Sequence, residues 1–422
     1  MTPPPAHREA TPEPEADGIP SAGEAVAAAS KRSALLGAIF LMATSAVGPG
    51  FITQTAQFTL QLGAAFACAI VLSIIVDIAV QLNVWRVIGI SGLRAHELAG
   101  RVLPGAGWAL AGLVVLGGLV FNIGNVAGTG LGLDALLGVS PKVGGAISAV
   151  VAIAIFLSRR AGVALDRIVV VLGIVMVIAT LVIAVTSRPP VGEALVNVVA
   201  PEQFSFLAVT TIIGGTVGGY ITYAGAHRLL DSGTTGVESV RDITRSSVTG
   251  ILVTGVMRIL LFLAIFGVIA GGAALNPDNV AASAFESAAG EFGLRAFGLI
   301  LWTAAITSVI GASYTSVSFM TTSATPARTR NLLTVGFIAV TSVVFLLIEK
   351  TPTELLIFAG AFNGMILPLG FGLLLWVAWR RRDLLGGYRY PGLLLGVGVL
   401  AWLLTLYLAY RSFLPLWELW FS

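Results

Sequence analysis

Apolar residues in this chain come in runs the length of a bilayer crossing. Eleven such runs, at 33–59, 63–85, 107–137, 144–158, 166–186, 206–229, 246–271, 293–322, 331–348, 354–379 and 391–411, are separated by short polar stretches. Runs on the order of 20 residues suit membrane-spanning helices, whereas barrel strands need only about 10 residues of alternating character. The pattern predicts an all-α integral membrane protein with eleven transmembrane helices. Residues 1–32, rich in Pro, Ala and Glu, contain no apolar stretch and read as a disordered cytoplasmic tail without a cleavable signal.

Composition agrees. The chain is 56% hydrophobic and 11% charged with mean hydropathy +0.94, against about 25% charged residues in a soluble domain. Cys68 is the single cysteine, and His7, His96 and His227 are the only histidines, which leaves no disulfide framework and little basis for zinc or haem chemistry. No cofactor is expected. The pI of 9.2 does not point to nucleic acid, because the basic residues sit in short loops. With the N-terminus inside, eighteen of the 24 Lys and Arg fall on one face, and Lys142, Arg188, Lys350 and Arg411 on the other. This positive-inside asymmetry places the tail in the cytoplasm and the C-terminus, with Trp417 and Trp420, outside. The preference for Arg over Lys, with abundant Ala and Gly, suggests a GC-rich bacterial genome and a bacterial cytoplasmic membrane.

Two runs contain helix breakers. "AVGPGFITQT" (46–55) interrupts the first and "TVGGYITYAG" (216–225) the sixth. Aligning "VGPGFIT" (47–53) with "VGGYIT" (217–222) pairs Phe51 with Tyr220 and Thr53 with Thr222. Five spans separate the copies, so the second crosses the membrane in the opposite sense, as in an inverted repeat whose two discontinuous helices meet at the midplane. The expected organisation is a first five-helix repeat over 33–200, a second over 201–382, and an eleventh helix with an extracytoplasmic end over 383–422. Unpaired backbone within the bilayer persists only where it lines a cavity or a ligand. The breaks therefore read as a substrate site built from Gly48, Gly50, Phe51, Thr53, Gln54, Thr55, Gln57, Gly218, Gly219, Tyr220, Thr222 and Tyr223.

Further polar residues lie inside apolar runs. Asp77, Asn122, Asn125, Asp134 and Arg258 are costly there and are functional candidates for that reason. Arg258 either faces a substrate anion or pairs with Asp77. His227, beside Arg228 and Asp231, reads as a helix-end or gating group. The segment "TSVIGASYTSVSFMTTSATP" (307–326) is dense in Ser and Thr, which serve either Na⁺ binding or close helix packing. Coupling to Na⁺, to H⁺ or to nothing stays open.

Over most of residues 33–411 the sequence resembles the NRAMP family of divalent-metal transporters. Gly48-Pro49-Gly50-Phe51 stands at the family's Asp-Pro-Gly-Asn, and Gly63 at the glycine opening span 2. "QLNVWRVIGISGLRAHELAG" (81–100) and "RRRDLLGGYRYP" (380–391) are similar to its second span with the following loop and to its basic loop before span 11. The resemblance implies the leucine-transporter-like fold, two inverted five-helix repeats plus one helix, and secondary transport by alternating access. It also implies altered chemistry. The family's metal-binding Asp and Asn correspond to Gly48 and Phe51, its Met-Pro-His to Gly218-Gly219-Tyr220, and its Asp-x-x-Glu to Asn122 and Asn125. Uncharged amides and hydroxyls replace such ligands poorly for transition metals, and Mg²⁺ usually wants a carboxylate. Half-helix N-termini favour an anion. The expected substrate is a small organic acid, an amino acid or a cyclic derivative such as 5-oxoproline, taken up by symport. The rival within transport is a Mn²⁺ or Mg²⁺ carrier with a rebuilt site. An intramembrane serine protease using Ser91 of "GISG" (89–92) with His227 as base, and a membrane receptor, are the readings from other classes; a non-enzyme is expected. The expected partners are a small molecule and the lipid bilayer, without nucleic acid, for a monomer.

Overall fold

Glycine and proline punctuate these helices more than polar residues do. The computed structural model describes residues 48–321 and 325–421, and only the backbone over 159–167, 169 and 170. The predicted tail and the first part of span 1, through Val47, lie outside the described residues. Among the described residues all regular structure is helical.

Helix α1 (Pro49–Leu62) ends at Gly63, whose φ of 53° turns the chain into α2 (Phe66–Ser91). Gly92, at φ 65°, closes α2 and leads to the short amphipathic α3 (Ala95–Val102). Then come α4 (Ala106–Leu137), α5 (Pro141–Leu157), α6 (Arg159–Thr186) and α7 (Val191–Val199). The sixth predicted span is two helices, α8 (Phe206–Gly214) and α9 (Ile221–Asp231). The chain continues through α10 (Val240–Ala270), α11 (Val280–Met320), α12 (Ala327–Leu347), α13 (Pro352–Arg380) and α14 (Gly392–Phe421). Helix α11 is kinked at Ala289–Gly290, so a short segment precedes the predicted eighth span. Helix α13 opens on a capping box in which Thr351 and Glu354 satisfy each other's backbone N–H, with Pro352 in the first turn where its missing donor costs nothing.

Seven helices among the described residues are long and apolar enough to cross a membrane, or eight if the bent pair Val171–Thr186 and Val191–Val199 forms one span. Lipid matches leucine in polarity, so the helices need close contact rather than hydrophobic exclusion to associate. Helices α4 and α11 show how this is met. A Cβ on Gly132 would lie 2.5 Å from the Trp302 amide, and one on Gly298 would lie 2.5 Å from the Leu136 amide. Helices α6 and α14, by contrast, carry rows of exposed apolar residues, including Val171, Ile174 and Ile178 on one and Leu393, Leu400 and Leu403 on the other. Helix α10 packs along α2, and α13 packs against α4, α8 and α14. These contacts hold the two interrupted spans in the interior.

Candidate functional site: two interrupted spans around a buried arginine

The first interruption is made by proline. Pro49 occupies the first turn of α1, Gly48 precedes it in an extended conformation, and no side chain caps the helix. The Gly48 carbonyl accepts from the Ile52 amide at 3.2 Å. The first turn holds no acidic residue, so the positive end of α1 is not neutralised from within the helix. Gln54, fully buried, reaches out from the following turn. Its Nε2 donates to the Leu356 carbonyl of α13 at 2.8 Å, while its Oε1 has no partner. A side chain on Gly215 would meet that oxygen, and one on Gly360 would meet the nitrogen. Gln54 thus ties the first interrupted span to α13, with Gly215 of the second packed beside it.

The second interruption is made by backbone. The amides of Val217 and Gly218 both turn back to the Ile213 carbonyl, at 2.8 and 3.2 Å. Gly219 adopts φ 49° and donates to the Asn363 carbonyl at 3.2 Å. Asn363, buried in α13, donates through Nδ2 to Gly117 at 3.0 Å and Ala359 at 2.9 Å. Any Cβ at Gly214 or Gly219 would run into α13, at the Gly360 carbonyl and the Asn363 side chain respectively. Gly218 and Gly219 therefore serve close packing here. Tyr220, the last residue of the break, sets its ring edge-on to Phe121 at 5.4 Å and faces the Asn125 side chain.

Between the two breaks stands Arg258 of α10. It is 2% exposed, its guanidinium carbon lies 4.5 Å above the centre of the Phe51 ring, and its Nη2 donates to Thr216 Oγ1 at 2.8 Å. Nη1 donates to Ser73 of α2 at 3.3 Å, and Nε has no partner. Asp77, one turn beyond Ser73, is 1% exposed. The Thr216 hydroxyl reaches it, and Asp77 Oδ1 is unpartnered. No ion pair within 4 Å joins Asp77 to Arg258 among the described residues; Thr216 lies between them. One cation thus touches the first turn of α1 and the loop between α8 and α9.

The remaining predicted residues distribute elsewhere. Thr55 bonds back to the Phe51 carbonyl at 2.7 Å, and Thr53 and Gln57 follow the same helix. Asn122 donates to Ser313 of α11 and Thr341 of α12 at 3.0 and 2.9 Å, away from the breaks. Thr222 presents its carbonyl to Trp85 Nε1 at 2.9 Å, with its hydroxyl unpartnered, as is that of Tyr223. His227 stacks on Phe319 of α11 at 4.7 Å, and His96 of α3 approaches the same ring at 5.6 Å. Burial holds the His96 imidazole below its ordinary pKa. An Arg94–Asp231 ion pair at 3.6 Å closes this end of the bundle. Ser91 donates to Ile88 and accepts from the Leu93 amide, the bonds of a helix-terminating turn, and His227 Nε2 accepts from the Ala95 amide at 3.4 Å. The protease constellation is not formed. Many of the span 8 hydroxyls, among them Ser308, Ser313, Ser318 and Thr321, bond back to their own helix. Sequence reasoning missed Ser73, Thr216, Phe319 and Asn363. Thr216 and Asn363 carried a signal, as polar neighbours of glycines within apolar runs.

The architecture is the leucine-transporter-like helical fold. A manganese transporter from Eremococcus coleocola, solved with an aromatic bis-isothiourea compound, superposes with a TM-score of 0.71 at 16% identity, over 94% of this chain and 89% of that one. MhsT, solved with L-phenylalanine, gives 0.62 at 16% identity over 92% and 98%. Residues 39–415 match the family described as "Natural resistance-associated macrophage protein-like", and this chain belongs to that family, Nramp. It is 53% identical over 370 residues to the uncharacterized membrane protein YcsG of Bacillus subtilis, covering 87% of this chain and 91% of the other. An uncharacterized membrane protein of Haemophilus influenzae is 49% identical over 362 residues, covering 86% and 91%. The chain is a multi-pass membrane protein of a transporter family.

Proposed function

We propose that this Nramp-family protein is a secondary transporter of a small organic anion, with its substrate carboxylate held between the positive end of α1 and Arg258. Arg258 is the observation that carries the reading. A unit charge about 4 Å away interacts by about 4 kcal/mol at an effective dielectric of about 20. The sign favours a carboxylate and is doubly adverse for a divalent cation. Asp77 offsets part of that field, but the guanidinium is the member of the pair that touches Phe51 of α1. Among the described residues no three His, Cys, Asp or Glu side chains converge as metal ligands would.

Gly48, Gly50 and Phe51 supply the first-turn backbone and an apolar cover, Gln54 an amide oxygen, and Tyr220 a ring and hydroxyl opposite. Thr53, Gln57, Thr222 and Tyr223 complete the polar lining as the spans rock, with Gly218 and Gly219 letting the second break approach α13. The two repeats, 33–200 and 201–382, alternate access across a bacterial cytoplasmic membrane with the N-terminus inside. His227, Phe319 and His96 form the gate on the cytoplasmic side.

The opposing reading is a Mn²⁺ or Mg²⁺ carrier with a rebuilt site, drawn from the manganese transporter of the same fold. Thermal melting of the detergent-purified protein against Mn²⁺, Mg²⁺ and a panel of small carboxylic acids decides between them, since a ligand bound to the native state raises the melting temperature. Stabilisation by an acid and by neither metal is expected. Stabilisation by Mn²⁺ or Mg²⁺ alone would sink the anion site.

A further inference from the structure

We infer that Asp77 is the proton-binding group of this transporter: an arriving substrate carboxylate takes over the Arg258 guanidinium, and Asp77 then binds one proton from the aqueous side to which the site is open. The inference rests on the anion reading above and adds which side chain takes up the proton.

Charge balance drives the argument. The buried cluster of Arg258, Asp77, Ser73 and Thr216 holds one cation and one anion, all at most 2% exposed. A second carboxylate leaves a net negative charge out of water, and two carboxylates sharing one site do not both stay ionised. Arg258 is the charged group facing Asp77 among the described residues, and Thr216 is its hydroxyl neighbour. Asp77 is therefore the carboxyl inside the cluster that can restore neutrality.

The hydrogen bonds allow this change. Asp77 Oδ1 is buried and unpartnered, so a proton there displaces no existing bond. Arg258 Nε is unpartnered on the guanidinium that lies over Phe51, leaving an N–H to give to a ligand. Thr216 accepts from Arg258 Nη2 and has a single proton, directed to the Ile212 carbonyl at 2.7 Å or to Asp77. That hydroxyl belongs to the loop between α8 and α9, so the protonation state of Asp77 is read by a segment that links two half-helices. After the acid leaves on the opposite side, the Arg258 guanidinium again balances the Asp77 carboxylate across Thr216, and the proton departs to water. The cycle moves one acid anion and one proton together, without net charge.

The test counts protons. Acids without an amine, namely 5-oxoproline, L-lactate and acetate, are titrated into the purified full-length protein by calorimetry at one pH in buffers of different ionisation heat. Wild type is expected to take up about one proton per acid bound, with affinity rising up to tenfold per pH unit on acidification. Asp77→Asn is expected to bind with no uptake. Binding without uptake in wild type, or equal uptake in Asp77→Asn, overturns the proton assignment and leaves the anion site standing. If no acid binds, the anion reading itself falls. Should Asp77→Asn fail to fold, Asp77→Glu keeps a carboxyl at altered distance: a displaced pH midpoint for acid affinity supports the assignment, and an unchanged midpoint overturns it.

Discussion

The two interrupted spans reach a similar end by different means. At the first, Pro49 starts α1 and the neighbouring glycine has room. A Cβ on Gly50 would find its nearest atoms at 3.4 Å, on the end of Gln54, and at 3.6 Å, on Phe121. At the second, six residues leave the helix, Gly219 is held at positive φ, and its amide is bonded to α13. One break opens an uncapped helix and reaches α13 through a side chain, Gln54; the other lies with its backbone directly on α13. The lesson is that a shared sequence phrase does not impose a shared role. The second break is anchored through its own backbone, whereas the first offers the free N–H groups of an uncapped helix, as the proposed ligand contact requires.

Gly219→Ala tests this difference most severely. The substitution combines a left-handed backbone with a side chain placed into Asn363, which together cost about 3 kcal/mol or more. A large fall in melting temperature and in yield of folded protein is expected, and near wild-type melting would show that the second break is not anchored as described. Arg258→Gln comes next. Loss of a charge-assisted contact worth about 2 kcal/mol weakens acid binding roughly 30-fold, measured by calorimetry, while Arg258→Lys should retain part of the affinity. An unchanged dissociation constant in Arg258→Gln would remove the arginine from the site.

Gly48→Asp acts on the first break with opposite signs on two readouts. An aspartate at this helix-capping position stabilises the fold by a few tenths to about 1 kcal/mol and places a carboxylate on the N–H groups proposed for the ligand. A raised melting temperature with about tenfold weaker acid binding is expected, the factor corresponding to about 1.4 kcal/mol; undiminished acid affinity would contradict the placement. Gly50→Ala is the mildest. Ala is favoured over Gly within a helix by about 1 kcal/mol, so stability should hold or rise, while uptake into proteoliposomes falls if the break flexes during transport. Equal loss of folding and uptake would return Gly50 to a packing role.

Much of the fold was legible in the chain because the bilayer leaves few options. Helices α4 (Ala106–Leu137) and α13 (Pro352–Arg380) fall within a few residues of the apolar runs at 107–137 and 354–379. Both breaks were visible as Gly and Pro where helix breakers are unwelcome. The short α3 and α7 were not, since eight or nine amphipathic residues make no bilayer-length run. Among the polar residues inside spans, Asp77 and Arg258 announced themselves by charge. Their separation by Thr216 did not, because 42 residues and a loop divide Thr216 from Arg258.

The sequence by itself determined the membrane class and the two breaks, since each follows from residue type at a position along one chain. Only the tertiary structure decided that Asn122 turns toward α11 and α12, that Ser91 terminates a helix, and that the guanidinium of Arg258 meets Phe51 and Thr216. Periodicity gives which face of a helix is apolar, but which helix that face meets depends on close packing at glycines such as Gly132 and Gly298. That packing is a property of pairs of helices, and no single stretch of sequence contains it.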